Sequence, residues 1–228
     1  MDFSVFEKSI KVEFKDKGLL KQAFIHRSYI NENRGLKLEH NERLEFLGDA
    51  VLELVITDYL YHKYPGKPEG ELTAYRSSLV NSNTLAAAAE RIGVNSFLLL
   101  SRGEAKDTGR ARQYILANTF EALIGSIYLD QGYGAAEKFI SDHLFGLIDD
   151  IVSKKTFIDA KSRFQEVAQE KVGVTPAYKL IKESGPDHNK IFTVGVFLSE
   201  EKVAAGDGKS KQEAEQKAAE KALQVKGW

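Results

Sequence analysis

A segment that is apolar on nearly every side, residues 39–63, constrains the fold of this chain more than any other feature. Its hydrophobic residues, from Leu44 to Ile56, recur at helical spacing around most of the circumference. This pattern is typical of a helix that is surrounded by other helices. We therefore expect a helical bundle built around this segment.

Three carboxylates lie along one face of the same predicted helix. Glu42, Glu45 and Asp49 are three and then four residues apart, so they share that face. Carboxylates flanked by core residues repel one another and lose hydration. A magnesium or manganese ion, held by oxygen ligands, would offset both effects. The alternative is a row of charges that faces water, as most charged side chains do.

A second apolar segment, residues 114–130, carries a matching pair of polar side chains. Asn118 and Glu121 are three residues apart, and Gly125 follows them as a small residue that permits close helix packing. If the two helices pack side by side, their polar residues can surround one ion. Such a cluster suits phosphoryl transfer, in which a metal activates water and stabilises the leaving oxygen. The second half-site favours a metal site over a row of solvent-facing charges.

Composition excludes several classes of protein. The chain has no cysteine, so it has neither a disulfide framework nor a thiol catalyst. Its first residues lack the pattern of a secretory signal, and no segment is apolar for long enough to span a bilayer. We therefore expect a cytoplasmic protein with no membrane partner and no small-molecule cofactor.

The pattern of the chain changes after about residue 152. The first part is mostly helical, and we predict an all-α domain over residues 1–152 and a linker over residues 153–158. Its expected helices lie near residues 3–10, 19–26, 39–63, 71–91, 111–130 and 134–152, and residues 101–112 are expected to form a mobile polar loop. Acidic residues outnumber basic ones here, whereas basic residues are in excess afterwards. This asymmetry fits a metal-dependent catalyst joined to a phosphate-binding module.

The remaining residues, 159–228, predict a small α+β domain. An amphipathic helix begins at Asp159, and alternating patterns over residues 176–183 and 191–200 indicate strands. Residues 202–208 form a third expected strand that ends in a glycine turn, and an alanine-rich helix closes the chain. The predicted order is α-β-β-β-α.

Four ordered blocks of the first domain resemble the ribonuclease III endonucleases. They are LLKQAFIHRSY (19–29), NERLEFLGDAVLELVITDYLY (41–61), EGELTAYRSSLVNSNTLA (69–86) and ILANTFEALIGSIYLDQG (115–132). The second domain, through GDGKSKQEAEQKAAEKAL, resembles a double-stranded RNA-binding domain. The resemblance implies hydrolysis of double-stranded RNA to 5′-phosphate and 3′-hydroxyl ends with a short 3′ overhang. Ribosomal precursors and structured messenger RNAs are the implied substrates.

The resemblance also implies roles for residues of the first domain. The implied cofactor is Mg²⁺, for which Mn²⁺ would substitute. Its implied ligands are Glu45, Asp49, Asn118 and Glu121. The three carboxylates among these ligands are also the implied catalytic residues. Glu42 and Glu69 match acidic positions at the edge of the cleft, although Glu69 alone would be interpreted as a residue that favours a helix N-terminus. Phe46 resembles an aromatic residue that packs into the partner of a homodimer; alone it would be interpreted as a core residue.

Asn118 is the main departure from the family pattern, which usually has aspartate at this position. Its amide oxygen can still bind magnesium, but it contributes no charge. Three explanations of Asn118 are open: a natural variant that works, a naturally weakened enzyme, or a deliberately introduced inactivating substitution. Because every other residue of the site is intact, we favour the working variant. The alternative function is a double-stranded RNA-binding protein that does not cut. A third hypothesis, a helical phosphohydrolase acting on nucleotides, is disfavoured by the second domain.

In the second domain, the resemblance implies three RNA contacts, because A-form RNA is recognised through its shape, 2′-hydroxyls and phosphates. The first helix would contact a minor groove through Gln165 and Glu166. The loop after the first strand would contact the next minor groove through Pro186 and His188. The start of the last helix would contact the phosphates between the two grooves through Lys209 and Lys211. The family often has two consecutive basic residues where this chain has Lys211 followed by Gln212.

Overall fold

The computed structural model of the chain describes residues 2–33, 35–154, 160–186 and 190–228. These residues form two compact units, 2–154 and 160–228. In the described part of the chain, no helix combines the length and the apolar character needed to cross a membrane.

The first unit is all-α, as predicted. Its helices are α1 (Ser4–Ile10), α2 (Lys17–Ala23), α3 (Arg27–Glu32), α4 (Glu42–Lys63), α5 (Glu69–Val80), α6 (Ser82–Arg91), α7 (Arg102–Lys106), α8 (Arg110–Gln131), α9 (Tyr133–Leu144) and α10 (Ile148–Lys154). The two longest helices, α4 and α8, pack against each other, and both contribute to one hydrophobic core. The segment that was apolar all round is therefore the centre of a bundle.

Side-chain caps account for two differences from the predicted helices. The helix expected over residues 71–91 is two helices, because Asn81 adopts an extended conformation and its side chain caps α6 by accepting a hydrogen bond from Thr84 N at 3.0 Å. Part of the expected loop at residues 101–112 is helix α7. Ser101 caps it by accepting from Glu104 N at 3.2 Å, and the Arg112 guanidinium donates to the Glu104 carbonyl at 2.8 Å.

The second unit has the predicted α-β-β-β-α order. Helix α11 (Ala160–Val172) precedes β1 (Ala177–Ser184), β2 (Ile191–Leu198) and β3 (Glu201–Gly208), and α12 (Lys211–Lys226) ends the unit. The strands form an antiparallel sheet in the order β1-β2-β3. Its core includes Phe164 of α11, Val196 of β2 and Ala218 of α12.

Helix α10 extends into the segment that was predicted to be the linker. Ser153 and Lys154 are the last residues of α10. Residues 155–158, the rest of the predicted linker, lie outside the described residues. The linker bounds stay a prediction.

Candidate active site

Two glycines allow α4 and α8 to cross at close range. A Cβ atom on Gly48 would overlap the backbone carbonyl of Glu121, and a Cβ atom on Gly125 would overlap that of Leu44. The two backbones therefore touch at this crossing. Because Glu121 belongs to the contact itself, the polar residues of α8 lie beside the carboxylates of α4.

The carboxylates at this crossing influence one another's ionisation. Burial, together with the nearby charges of Asp49, Glu45 and Glu53, raises the pKa of Glu121 to about 8. Burial and the charge of Glu42 raise the pKa of Glu45, and Asp49 adds to this effect. Shifts of this kind are common at functional sites. The crossing thus concentrates negative charge in a partly desolvated place.

The side chain of Asn118 on α8 influences the ionisation of Glu45 on α4. Its side chain hydrogen-bonds to Glu45, which lowers the pKa of that carboxyl and opposes the effect of burial. The amide donates to the carboxylate, which an ionised aspartate could not do. Asn118 therefore relieves part of the repulsion at the crossing while keeping an oxygen that can bind a cation.

The donors fit a hard divalent cation in chemistry, although they do not converge on one point. Glu45, Asp49, Asn118 and Glu121 offer only oxygen atoms, as magnesium prefers. Among the described residues, however, no three histidine or acidic side chains are arranged as a metal-binding group. The close crossing of the helices nevertheless brings Glu121 near enough to Asp49 and Glu45 for their charges to raise its pKa.

The two predicted cleft residues begin helices. Glu42 is the first residue of α4, and its carboxylate lies 3.7 Å from Arg27 Nη1 and 3.7 Å from His40 Nδ1. Glu69 is the first residue of α5 and accepts a hydrogen bond from the Thr73 hydroxyl at 2.9 Å.

Phe46 is not a core residue. Its side chain is 81% exposed, so the interpretation of Phe46 as buried is wrong. Leu54 and Tyr61, at helical spacing further along α4, are also exposed. Together, Phe46, Leu54 and Tyr61 form an exposed apolar stripe on the helix that carries the acidic residues.

The partners of two polar residues near the site were not predicted from the sequence, although an ion-paired or surface role was expected for Glu53. Asn41, which is buried, donates from its side chain to the Ala23 carbonyl at 3.1 Å and so fixes the start of α4. Glu53 forms an ion pair with Arg76 of α5, with 2.9 Å between Oε2 and Nε. Polar residues within apolar segments were the only signal for these contacts, and their partners lie far away in sequence.

The predicted RNA-contacting residues that the structure describes are all exposed. Gln165 and Glu166 lie on α11, and Pro186 follows β1. Lys209 and Lys211 flank Ser210, the cap of α12, whose hydroxyl accepts from Glu213 N at 3.1 Å. His188 lies outside the described residues.

Two lysines near the start of α12 already have acidic partners. Lys211 Nζ lies 3.8 Å from a Glu183 oxygen of β1, and Lys217 Nζ lies 2.7 Å from Glu213. Such exposed pairs are weak, so an RNA phosphate can compete for the lysines.

Comparisons with known proteins agree with both units. Residues 16–148 match the family described as Ribonuclease-III-like, and residues 160–226 match the double-stranded RNA binding motif. Ribonuclease 3 of Enterococcus faecalis is 49% identical over 212 residues, which cover 93% of this chain and 92% of that protein. Ribonuclease 3 of Borreliella burgdorferi is 45% identical over 97% of this chain and 90% of that protein.

A solved structure gives the same result for the first unit. The nuclease domain of ribonuclease III from Campylobacter jejuni, described for flexibility in a region involved in dimer formation, is 38% identical with a TM-score of 0.56. The match covers 62% of this chain and 98% of that one. This chain therefore belongs to the ribonuclease III family, the endoribonucleases that are specific for double-stranded RNA.

Proposed function

We propose that this endoribonuclease is magnesium-dependent and that its active site lies at the crossing of α4 and α8. The proposed products have 5′-phosphate and 3′-hydroxyl ends with a short 3′ overhang. The observation that carries the proposal is the close crossing of α4 and α8 at Gly48 and Gly125, which brings Glu121 beside the carboxylates of α4 and, with burial, raises its pKa to about 8. Such mutual repulsion is the condition that a bound cation relieves.

The proposed ligands are Glu45, Asp49, Asn118 and Glu121, and manganese would substitute for magnesium. When bound, the metal would supply an activated water and stabilise the leaving oxygen. We propose that Asn118 helps to keep the Glu45 carboxylate ionised, because its side chain lowers the pKa of that group. Asp49, which is exposed, is accessible to a phosphate of the substrate.

We propose that Glu42 and Glu69 border the cleft. Each begins a helix, where a carboxylate is stabilised by the positive end of the helix dipole. Both side chains are exposed and are therefore available to a bound duplex.

For RNA binding, we propose that the domain over residues 159–228 grips the duplex through α11, the loop after β1 and the start of α12. The α12 N-terminus, with Lys209 and Lys211, suits phosphates. Gln165 and Glu166 suit the minor groove, and Pro186 and His188 the next one. Affinity should fall as salt rises, because binding to phosphates releases counterions.

We propose further that the chain acts as a homodimer in the cytoplasm on ribosomal precursors and structured messenger RNAs. Dimer formation is named for the nuclease domain of C. jejuni ribonuclease III. The exposed Phe46 supports the same arrangement here. The alternative, an RNA-binding protein that does not cut, is not favoured, since the relatives that match along the whole chain are named Ribonuclease 3.

The test is cleavage of a long duplex RNA across a magnesium titration, with Glu121→Ala and Asn118→Asp as variants. We expect the parent protein to cut and Glu121→Ala to lose activity by at least about a hundredfold. Asn118→Asp should need less magnesium, because it adds a negative charge. If the parent binds duplex RNA but cuts it only after Asn118→Asp, the chain is a disabled nuclease. If neither protein cuts, the assigned site is wrong.

A further inference from the structure

Arg76 on α5 holds two residues of α4. Its Nε lies 2.9 Å from Glu53 Oε2, and its Nη1 donates to the Thr57 hydroxyl at 3.0 Å. The same hydroxyl donates to the Glu53 backbone carbonyl at 2.6 Å. The planar guanidinium thus engages one turn of α4 at two points, a geometry that lysine could not reproduce.

Glu53 continues the line of carboxylates on α4. It follows Asp49 by four residues, so it lies on the same face about 6 Å further along the helix axis. The charge of Glu53 reaches the candidate site, because a separation of about 6 Å is shorter than the screening length of about 8–10 Å at ordinary ionic strength. Without a counter-charge, Glu53 would add to the negative potential that a metal experiences.

The Arg76–Glu53 pair is partly shielded from water. Their side chains are 34% and 37% exposed, respectively. A positive charge held at this position cancels most of the field of Glu53 at longer range, since the two charges then act as a dipole.

We propose that Arg76 is a positioning residue that sets the charge of the metal site. By pairing with Glu53, it keeps that carboxylate out of the ligand set and limits the negative potential to that of Glu45, Asp49 and Glu121. The proposal rests on the proposed function, because it assumes a divalent cation at the α4–α8 crossing.

A purely structural clamp makes a different prediction from this charge-setting role. If the pair only fastened α5 to α4, loss of either member would weaken metal binding, and loss of both would weaken it at least as much. If the pair sets the charge, loss of Arg76 leaves a free negative charge and loss of Glu53 leaves a free positive charge. The two losses then change metal affinity in opposite directions and cancel when combined.

The experiment measures the rise in melting temperature with magnesium, in the absence of RNA, for the parent, Arg76→Met, Glu53→Gln and the double variant. We expect the half-saturating magnesium concentration to fall about two- to fivefold in Arg76→Met and to rise by a similar factor in Glu53→Gln. The double variant should return to within about a factor of two of the parent.

Lys67 and Glu71 provide a matched control. They form an ion pair of 2.7 Å at the beginning of α5, and neither contacts Glu53 through an ion pair. Lys67→Met and Glu71→Gln should leave the magnesium dependence unchanged. Equal or same-direction shifts in Arg76→Met and Glu53→Gln would overturn the proposal.

The two proposals fail in distinguishable ways. A parent protein with neither duplex cleavage nor a magnesium-dependent melting shift would overturn the proposed function, and with it the role of Arg76. A parent that shows both, with Arg76 and Glu53 variants that do not shift oppositely, would overturn the role of Arg76 alone.

Discussion

At the scale of single residues, the side chains of the candidate site differ in burial and in the charges around them. Glu121 is largely shielded from water and close to other negative charges, so its pKa rises to about 8. Burial and the charge of Glu42 raise the pKa of Glu45, and the neighbouring Asn118 side chain opposes this rise. Asp49 is exposed. Burial and hydrogen bonding therefore decide which carboxylate resists ionisation.

The raised pKa of Glu121 predicts a pH-dependent stability in the absence of metal. The folded state keeps the Glu121 proton up to a pH of about 8, whereas the unfolded chain loses it near the ordinary glutamate pKa of 4.5. The folded state therefore loses stability as pH rises through this window. Glu121→Gln cannot ionise, so its stability should decline less.

Thermal melts in EDTA between about pH 5 and pH 8.5 check this prediction. The gain of Glu121→Gln over the parent should grow with pH and reach on the order of 1–2 kcal/mol, a value discounted for partial solvation. Magnesium should then stabilise the parent more than the variant at the upper pH. A constant difference across the range would show that Glu121 is ionised at every pH tested.

At the scale of elements, the crossing of α4 and α8 makes the site possible. Gly48 and Gly125 each face a backbone carbonyl of the opposite helix. Any side chain at either position would push the helices apart. Because Glu121 is part of this contact, such a displacement would also move a proposed ligand.

Gly48→Ala should therefore lower both stability and activity. We expect a loss of about 2–4 kcal/mol from overpacking, with a fall in activity of at least about tenfold. Gly70→Ala is the matched control, since Gly70 is also helical and has nothing within 4 Å of its added Cβ. It should be neutral or slightly stabilising. Denaturant unfolding and cleavage rates test both variants; equal effects would mean that the crossing tolerates the methyl group.

Spacing within one element was enough to predict much of this arrangement. The apolar pattern indicated α4 and α8, and the intervals between Glu42, Glu45 and Asp49 placed them on one face. Spacing could not reveal interactions between elements. The pair of Glu53 with Arg76 depends on how α5 packs, and the break between α5 and α6 depends on the side chain of Asn81. Those outcomes arise from tertiary geometry rather than from periodicity.

At the scale of the whole molecule, one side of α4 packs in the core of the first unit and another side is exposed. Its buried residues belong to the core of the first unit, whereas Phe46, Leu54 and Tyr61 remain exposed. Large exposed apolar side chains in a row are typical of protein interfaces. In a homodimer with two-fold symmetry, this apolar stripe would occur twice, so two active sites could act on one duplex.

Phe46→Ser should therefore shift the proposed homodimer towards monomer. Truncation of a large aromatic side chain at an interface costs about 2–4 kcal/mol, and symmetry applies that cost twice, so the dimer should weaken by at least about a hundredfold. Val5→Ser is the matched control, because Val5 is 64% exposed on α1 and lies outside the stripe. Sedimentation over a concentration series measures the effect. If Phe46→Ser has the same dimerisation constant as the parent, Phe46 lies outside the interface. If the variant is monomeric and no longer cuts both strands of the duplex, α4 couples dimer assembly to catalysis.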